Sequence, residues 1–215
     1  MANWIYNPIL YKLIKNSHNY MARYAVTDIS NYFIDHFARS VDPMTLPRVQ
    51  MFVYFAQVES LRRYGQSLFD DEIRAYSSGP AVTRLNAYYE GAGNDYIKVY
   101  RTFDKSKFSR QDLNLLMDVA VYYNSFSTSQ LQIMAFVKGG PWEQVYSEGS
   151  EMLPISNEMI RAFYSDQPGI PSYIDTVYLA IESCCGVNTM PALGLDESIE
   201  APTLYTEDAI MGTWD

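Results

Sequence analysis

The side chains able to do chemistry are few, and their spacing keeps them apart. Cys184 and Cys185 are adjacent, and neighbouring cysteines rarely bridge because the intervening peptide strains the ring. A cysteine nucleophile needs a base and an electropositive setting, whereas this pair sits in an acidic stretch that disfavours a thiolate. His18 and His36, the two histidines, have no nearby cysteine and no histidine partner at helical spacing, so neither belongs to a metal set. Both read as surface or rim residues. Asp70-Asp71-Glu72 is carboxylate-rich, but oxygen cages draw on more ligands at fixed offsets, and the run reads as a solvated acidic turn. Gly91-Ala92-Gly93 leads to Tyr96 where a dinucleotide loop requires its third glycine. No phosphate loop or serine elbow is present. The expectation is a protein with no catalytic residues, no metal and no cofactor, and hence not an enzyme.

Composition points to binding instead. The chain carries a net charge of −9, which argues against direct affinity for nucleic acid, whose phosphates need a basic surface. The imbalance is local. Residues 1–165 hold 16 acidic and 16 basic side chains, whereas residues 166–215 hold nine acids and no Lys or Arg. There are 19 tyrosines, and a ring with a polar tip suits both half-buried helix faces and protein-binding surfaces. No disulfide framework can form, which fits a reducing cytoplasm. The lysine-broken start, Ile9 to Lys15, does not read as a secretion signal, and no apolar run approaches the roughly 20 residues that span a bilayer. No membrane partner is expected.

The elements that position these residues are read mainly as helices. Asn7 and Pro8 open a short amphipathic helix through Ile14. Ile29, Phe33 and Phe37 repeat at four-residue spacing in a helix over about 28–38. Thr45 caps a helix over about 46–63 that is apolar on two sides and should therefore be surrounded by others. Arg62 and Arg63 face its negative end, and Gly65 suits a left-handed C-terminal turn. Residues 67–78 read as a connection, with Pro80 in the first turn of a helix to about Tyr89. Residues 91–108 read as a mobile, mildly basic insertion. Ser109 with Asp112, and Ser127 with Gln130, have capping-box spacing. Lys138 to Pro141 ends the second of these helices. Ile155 and Ile160 bracket Ser156 at staple spacing, and Ile174 to Ile181 suggests one more helix. The expectation is an all-α fold, mainly helical: a 1–23 helical extension, a compact multi-helix domain over 24–165 and an acidic 166–215 extension. No run demands a sheet, although residues 68–76 or 97–103 would allow strand pairing.

Five segments carry a family resemblance. Arg48 to Gln57 resembles the "K-L-Q-K-L-L-Y-Y-A-Q" helix of the Panacea-domain antitoxin family, and Gly65 to Tyr76 is similar to its "G-x-P-L-F-D-D-x-I-x-A-W". Gly79-Pro80-Ala81-Val82 stands where the family has "G-P-V-V". Leu131 to Trp142 is similar to "L-x-x-x-T-H-x-x-x-P-W", and Ile155 to Ile160 to "I-S-x-E-x-I". The order and spacing are kept over about 24–165. Met51 replaces a lysine, Ala135-Phe136 a Thr-His pair and Tyr76 a tryptophan. The resemblance implies a mostly helical domain of bacterial and phage genomes that acts as an antitoxin beside a toxin, with one branch linked to delivering the toxin to a protease.

The expected function is an antitoxin that neutralises a cognate toxin by direct binding. A proteolytic adaptor, which would add a protease complex as partner, and a phage-encoded interaction protein are the alternatives. An enzyme built on the 70–72 carboxylates is a more remote one. Tyr54, Gln57, Gly79, Pro80 and Trp142 are the motif positions expected to matter for the partner. Tyr205, Ile210, Met211 and Trp214 are expected anchors within the acidic extension, which would be drawn to a basic toxin surface. A chain ending at residue 165 should lose toxin binding in a pull-down, and full rescue of toxin-expressing cells by that chain would exclude the extension from the mechanism.

Overall fold

The computed structural model describes residues 23–40, 43–92, 95–98, 102–146 and 152–177. The described residues up to Thr176 belong to one compact unit. Helix α1, Val26–His36, buries Ile29, Phe33 and Ile34, as the four-residue spacing predicts. Helix α2, Leu46–Tyr64, starts where the Thr45 hydroxyl accepts the Arg48 N–H and stops at Gly65, whose φ of 65° takes the left-handed C-cap. Every residue of α2 from Arg48 to Leu61 is buried, so this helix is the axis of the domain. It packs against α1, against strand β2 (Gly79–Val82), and against α3 (Thr83–Tyr88), α4 (Arg110–Tyr123), α5 (Thr128–Ala135) and α7 (Asn157–Tyr164). Helix α6, Pro141–Val145, packs on α7 and on strand β3, Leu153–Ile155.

A buried helix carries its polar side chains inward with it, and each needs a partner. Gln50 and Gln57, two turns apart, solve this in the same way. The Gln50 amide accepts the Val82 N–H at 2.8 Å and donates to the Val82 carbonyl at 3.1 Å and to Asn86 Oδ1 at 2.9 Å. The Gln57 amide accepts the Leu68 N–H at 2.8 Å and donates to the Phe69 carbonyl at 3.0 Å and to Asn157 Oδ1 at 2.9 Å. The segment leaving α2 is therefore stapled back along the helix at both ends. Arg48 donates to the Phe126 and Asn124 carbonyls at 2.9 and 3.4 Å, just beyond the C-terminus of α4, where a cation meets the helix dipole favourably. Ser60 donates to the Gln66 carbonyl and accepts from Arg23.

The stapled segment holds the main departure from an all-α reading. Strand β1, Ile73–Tyr76, pairs antiparallel with β2 and with β3, in the order β2-β1-β3. Pro80 lies opposite Ala75, and Pro154 opposite Arg74. The fold is thus mainly helical with a small sheet. Strands of three or four residues are too short for alternation to declare itself, and Pro80 sits within an edge strand rather than opening a helix. The adjoining helix begins at Thr83 instead. The insertion expected to be mobile is anchored at several of its described residues. Ile97 is buried with its N–H on the Met44 carbonyl, Tyr96 bridges to Thr45, and Phe108 stacks on Tyr24 at 4.1 Å. Its aromatic and aliphatic residues outweigh its lysines.

The capping predictions divide. Ser127 and Gln130 form the full reciprocal box, and Ser156 caps α7 between buried Ile155 and Ile160. Ser109 caps α4, but the Asp112 carboxylate turns elsewhere. It accepts from Tyr24 at 2.6 Å and from the Ser109 hydroxyl at 2.7 Å, and pairs with Arg23 at 2.8 Å. The helix expected before Ile14 and the residues after Val177 lie outside the described residues. No helix among the described residues is long and apolar enough to cross a membrane.

Gln57→Ala leaves the buried Leu68 N–H and Phe69 carbonyl without partners, which should cost about 3 kcal/mol. Urea unfolding should show a lower midpoint at unchanged slope. A loss below about 0.5 kcal/mol would mean the staple is dispensable.

Candidate protein-binding groove

Around the buried axis, α4, α5 and α7 leave a groove of about 800 Å³. Phe55 and Val58 of α2 form its base, and Phe55 stacks on Tyr123 of α4 at 4.3 Å. Ile133, Phe136 and Val137 line one wall, and Phe163 and Tyr164 of α7 another. Residues Gln167–Ile170 run along its side. Ile133 is 68% exposed and Val137 39% exposed, so the rim presents aliphatic surface to solvent. A mostly apolar concavity of this size, with a few polar groups, is a common form for a binding site.

The polar groups are tied off in one cluster. The Glu59 carboxylate is nearly buried and takes Arg62 at 2.7 Å and Arg63 at 3.1 Å. Arg63 also pairs with buried Asp118 at 2.5 Å. Two acids and two guanidinium groups cancel, and shared hydrogen bonds offset the desolvation of each charge. The same cluster holds the segment beyond α7. Arg63 Nη2 donates to the Ile170 carbonyl at 3.1 Å, and Asp118 Oδ1 accepts the Tyr173 N–H at 2.7 Å.

The motif residues singled out from sequence occupy other places. Tyr54 and Gln57 are both 1% exposed. Neither presents a surface, and Gln57 spends its amide on the staple. The buried hydroxyls of Tyr54 and Tyr164 are polar neighbours, but neither makes a well-formed hydrogen bond. Gly79 has φ of 122°, and a Cβ there would sit 3.3 Å from Met51 Cε and 3.6 Å from Phe136 Cε1. Pro80 lines a smaller cavity of about 230 Å³ with Gln50, Met51, Tyr76, Asn86 and Gln132. Trp142 donates its indole N–H to the Tyr76 carbonyl at 2.8 Å and packs on Phe136 and Tyr146 at 4.2 and 4.3 Å. The structure therefore gathers Gly79, Pro80 and Trp142 at one end of the sheet. Met51, Tyr76 and Phe136, where the chain departs from the family pattern, meet at that same place. Tyr205, Ile210, Met211 and Trp214 lie outside the described residues.

Sequence reasoning missed the groove. Its signal was Ile133, which falls off the Leu131 and Ala135 face that α5 buries, with Val137 just beyond the helix end. The acidic turn is answered by cations: Arg84 reaches Asp71 at 3.3 Å and Arg74 reaches Glu72 at 2.6 Å. His36 stacks on Tyr32. Among the described residues no group of three or more His, Cys, Asp and Glu is arranged to hold a metal.

Residues 49–143 match the family model described as "Antitoxin SocA-like, Panacea domain". This segment is similar to a Panacea domain. Neither a curated protein nor a solved structure gives a match to this chain. The matched segment supplies the groove walls from α2, α4 and α5, whereas α7 and residues 167–170 lie beyond it. The matched segment thus contributes only part of the groove.

Burial raises the phenol pKa of Tyr123, with the Glu59 carboxylate adding to the effect, and burial raises that of Tyr164. In the unfolded chain both phenols ionise near pH 10. Their contribution to stability is thus intact below about pH 10 and declines as pH rises beyond it. Absorbance titration should show tyrosines still protonated at about pH 11 in the native protein, with denaturation midpoints lower there than at about pH 9. Ionisation of all tyrosines together near pH 10 in the folded protein would contradict this.

Proposed function

We propose that this Panacea-domain protein is an antitoxin that neutralises a cognate toxin in the cytoplasm by binding it directly, through the groove between α4, α5 and α7. The observation that carries the reading is the exposed aliphatic rim, Ile133 and Val137, above an apolar base whose charges are already satisfied. Such a surface gains by covering apolar area and has no unanswered charge in its floor to obstruct docking. The antitoxin-like family supports the role, and the type of partner follows from it. The helical domain of 24–165 supplies the platform. The acidic 166–215 extension assists encounter with a basic toxin surface through long-range attraction. Because residues 166–173 pack on Arg63 and Asp118, a chain ending at Thr176 tests the extension more cleanly than one ending at residue 165.

The toxin to test is the product of the neighbouring reading frame, if that product arrests growth when expressed alone. Ile133→Glu with Val137→Glu places charges on exposed positions, so the thermal midpoint should stay within a few degrees. Toxin affinity should drop at least about tenfold, equivalent to about 1.4 kcal/mol, and growth rescue should fail. Full rescue by the double variant would remove the groove from the mechanism. Toxin that disappears in a pulse-chase only when this chain and a protease are both present would favour the adaptor role instead.

A further inference from the structure

Residues 166–173 are joined to the domain in an unusual way. Between α7 and Ser172 the backbone is irregular, a helical turn begins at Tyr173 with the Thr176 N–H on the Ser172 carbonyl, and the residues flanking Ile170 are exposed. Ile170 is partly buried against the core. Beyond that one side chain, the hold is on the main chain. Arg63 reads the carbonyl of residue 170, and Asp118 reads the N–H of residue 173. Gly169 lies so close to the Arg62 guanidinium that a Cβ there would collide with it. An aliphatic anchor, a carbonyl and an N–H three residues later are features that many peptides of different sequence share.

We propose that Arg63 and Asp118 form a peptide-binding latch, and that residues 166–173 are its resident ligand, covering one side of the groove. The ligand class is a peptide segment with one aliphatic anchor, a free carbonyl at that residue and a free N–H three residues later, taken up when the strap lifts. The latch is suited to exchange. Arg63 and Asp118 stay paired to each other when the strap leaves, so opening strands no isolated buried charge and each group simply needs another peptide. An incoming segment therefore competes with the strap, and its apparent affinity is scaled by the fraction of molecules that are open. Lifting the strap also removes the Gln167–Ile170 side of the groove and widens the docking surface. This inference rests on the groove being the partner site, but it is tested independently of the toxin.

The probe is a fluorescent peptide with the sequence of residues 166–176, titrated into the full chain. Wild-type protein should bind it weakly because its own strap competes. Ile170→Asn removes the anchor of the resident strap, and this variant should bind the probe at least about tenfold more tightly. Adding Arg63→Lys keeps the charge beside Asp118 but loses the forked donor, and should return binding to the wild-type level or below. No binding by a folded Ile170→Asn chain, or equal binding with and without Arg63→Lys, would overturn the proposal. Should Ile170→Asn fail to fold, amide exchange in the wild-type chain decides. The Tyr173 amide should exchange faster than the α2 amides through local opening, and exchange only on global unfolding would overturn the latch. Toxin rescue by the groove variants can fail or succeed without altering either result.

Discussion

The structure depends on how a helix surrounded on all sides disposes of its polar groups. Helix α2 buries fourteen consecutive residues, among them Arg48, Gln50, Gln57, Glu59 and Ser60. An unpaired amide or charge there costs more than most single apolar contacts return. The solution is to recruit the rest of the chain as partners. Gln50 and Gln57 take backbone from the segment that follows α2, Arg48 takes the carbonyls after α4, and Glu59 draws in Arg62 and Arg63. Polar satisfaction, more than apolar packing, fixes where each surrounding piece lies, because packing tolerates sliding and a bidentate amide does not.

The groove follows from that arrangement. The helices around α2 are held by polar contacts at its ends and flanks, so α4, α5 and α7 need not close fully on one another, and Phe55 and Tyr123 become a shared base. Four cancelling charges then sit beside an apolar concavity without making it electrostatically hostile. The same four charges reach the segment after α7, which links the groove to the chain beyond the family-matched residues.

The helices were legible because their signals are strong and local. Thr45, Ser127, Ser156 and Gly65 act as read, and Ile29, Phe33 and Phe37 face the core. The sheet was not, since Ile73–Tyr76 and Leu153–Ile155 are short and lie far apart in the chain. The polar clasp was equally hidden: the Arg63 to Asp118 and Gln57 to Asn157 contacts join residues 55 and 100 positions apart. Gln57, read from sequence as a motif position expected to matter for the partner, spends its amide on the backbone it captures. The resemblance located Gly79, Pro80 and Trp142 without saying that they gather together. It also could not say that Met51, Tyr76 and Phe136, which depart from the pattern, lie around Gly79 and Trp142. Ile133 and Val137 drew no notice because two aliphatic residues off the main helix face are ordinary in any single sequence.

The two outer strands of the small sheet each contain a proline, Pro80 on one side and Pro154 on the other. Neither residue has an N–H to offer, so neither margin of the sheet is a full template on which a stray strand could lengthen it. A protein that keeps aliphatic surface uncovered runs a risk of indiscriminate self-association. Blunting both margins leaves the exposed aliphatic rim of the groove, rather than the sheet, as the surface where apolar association is favoured.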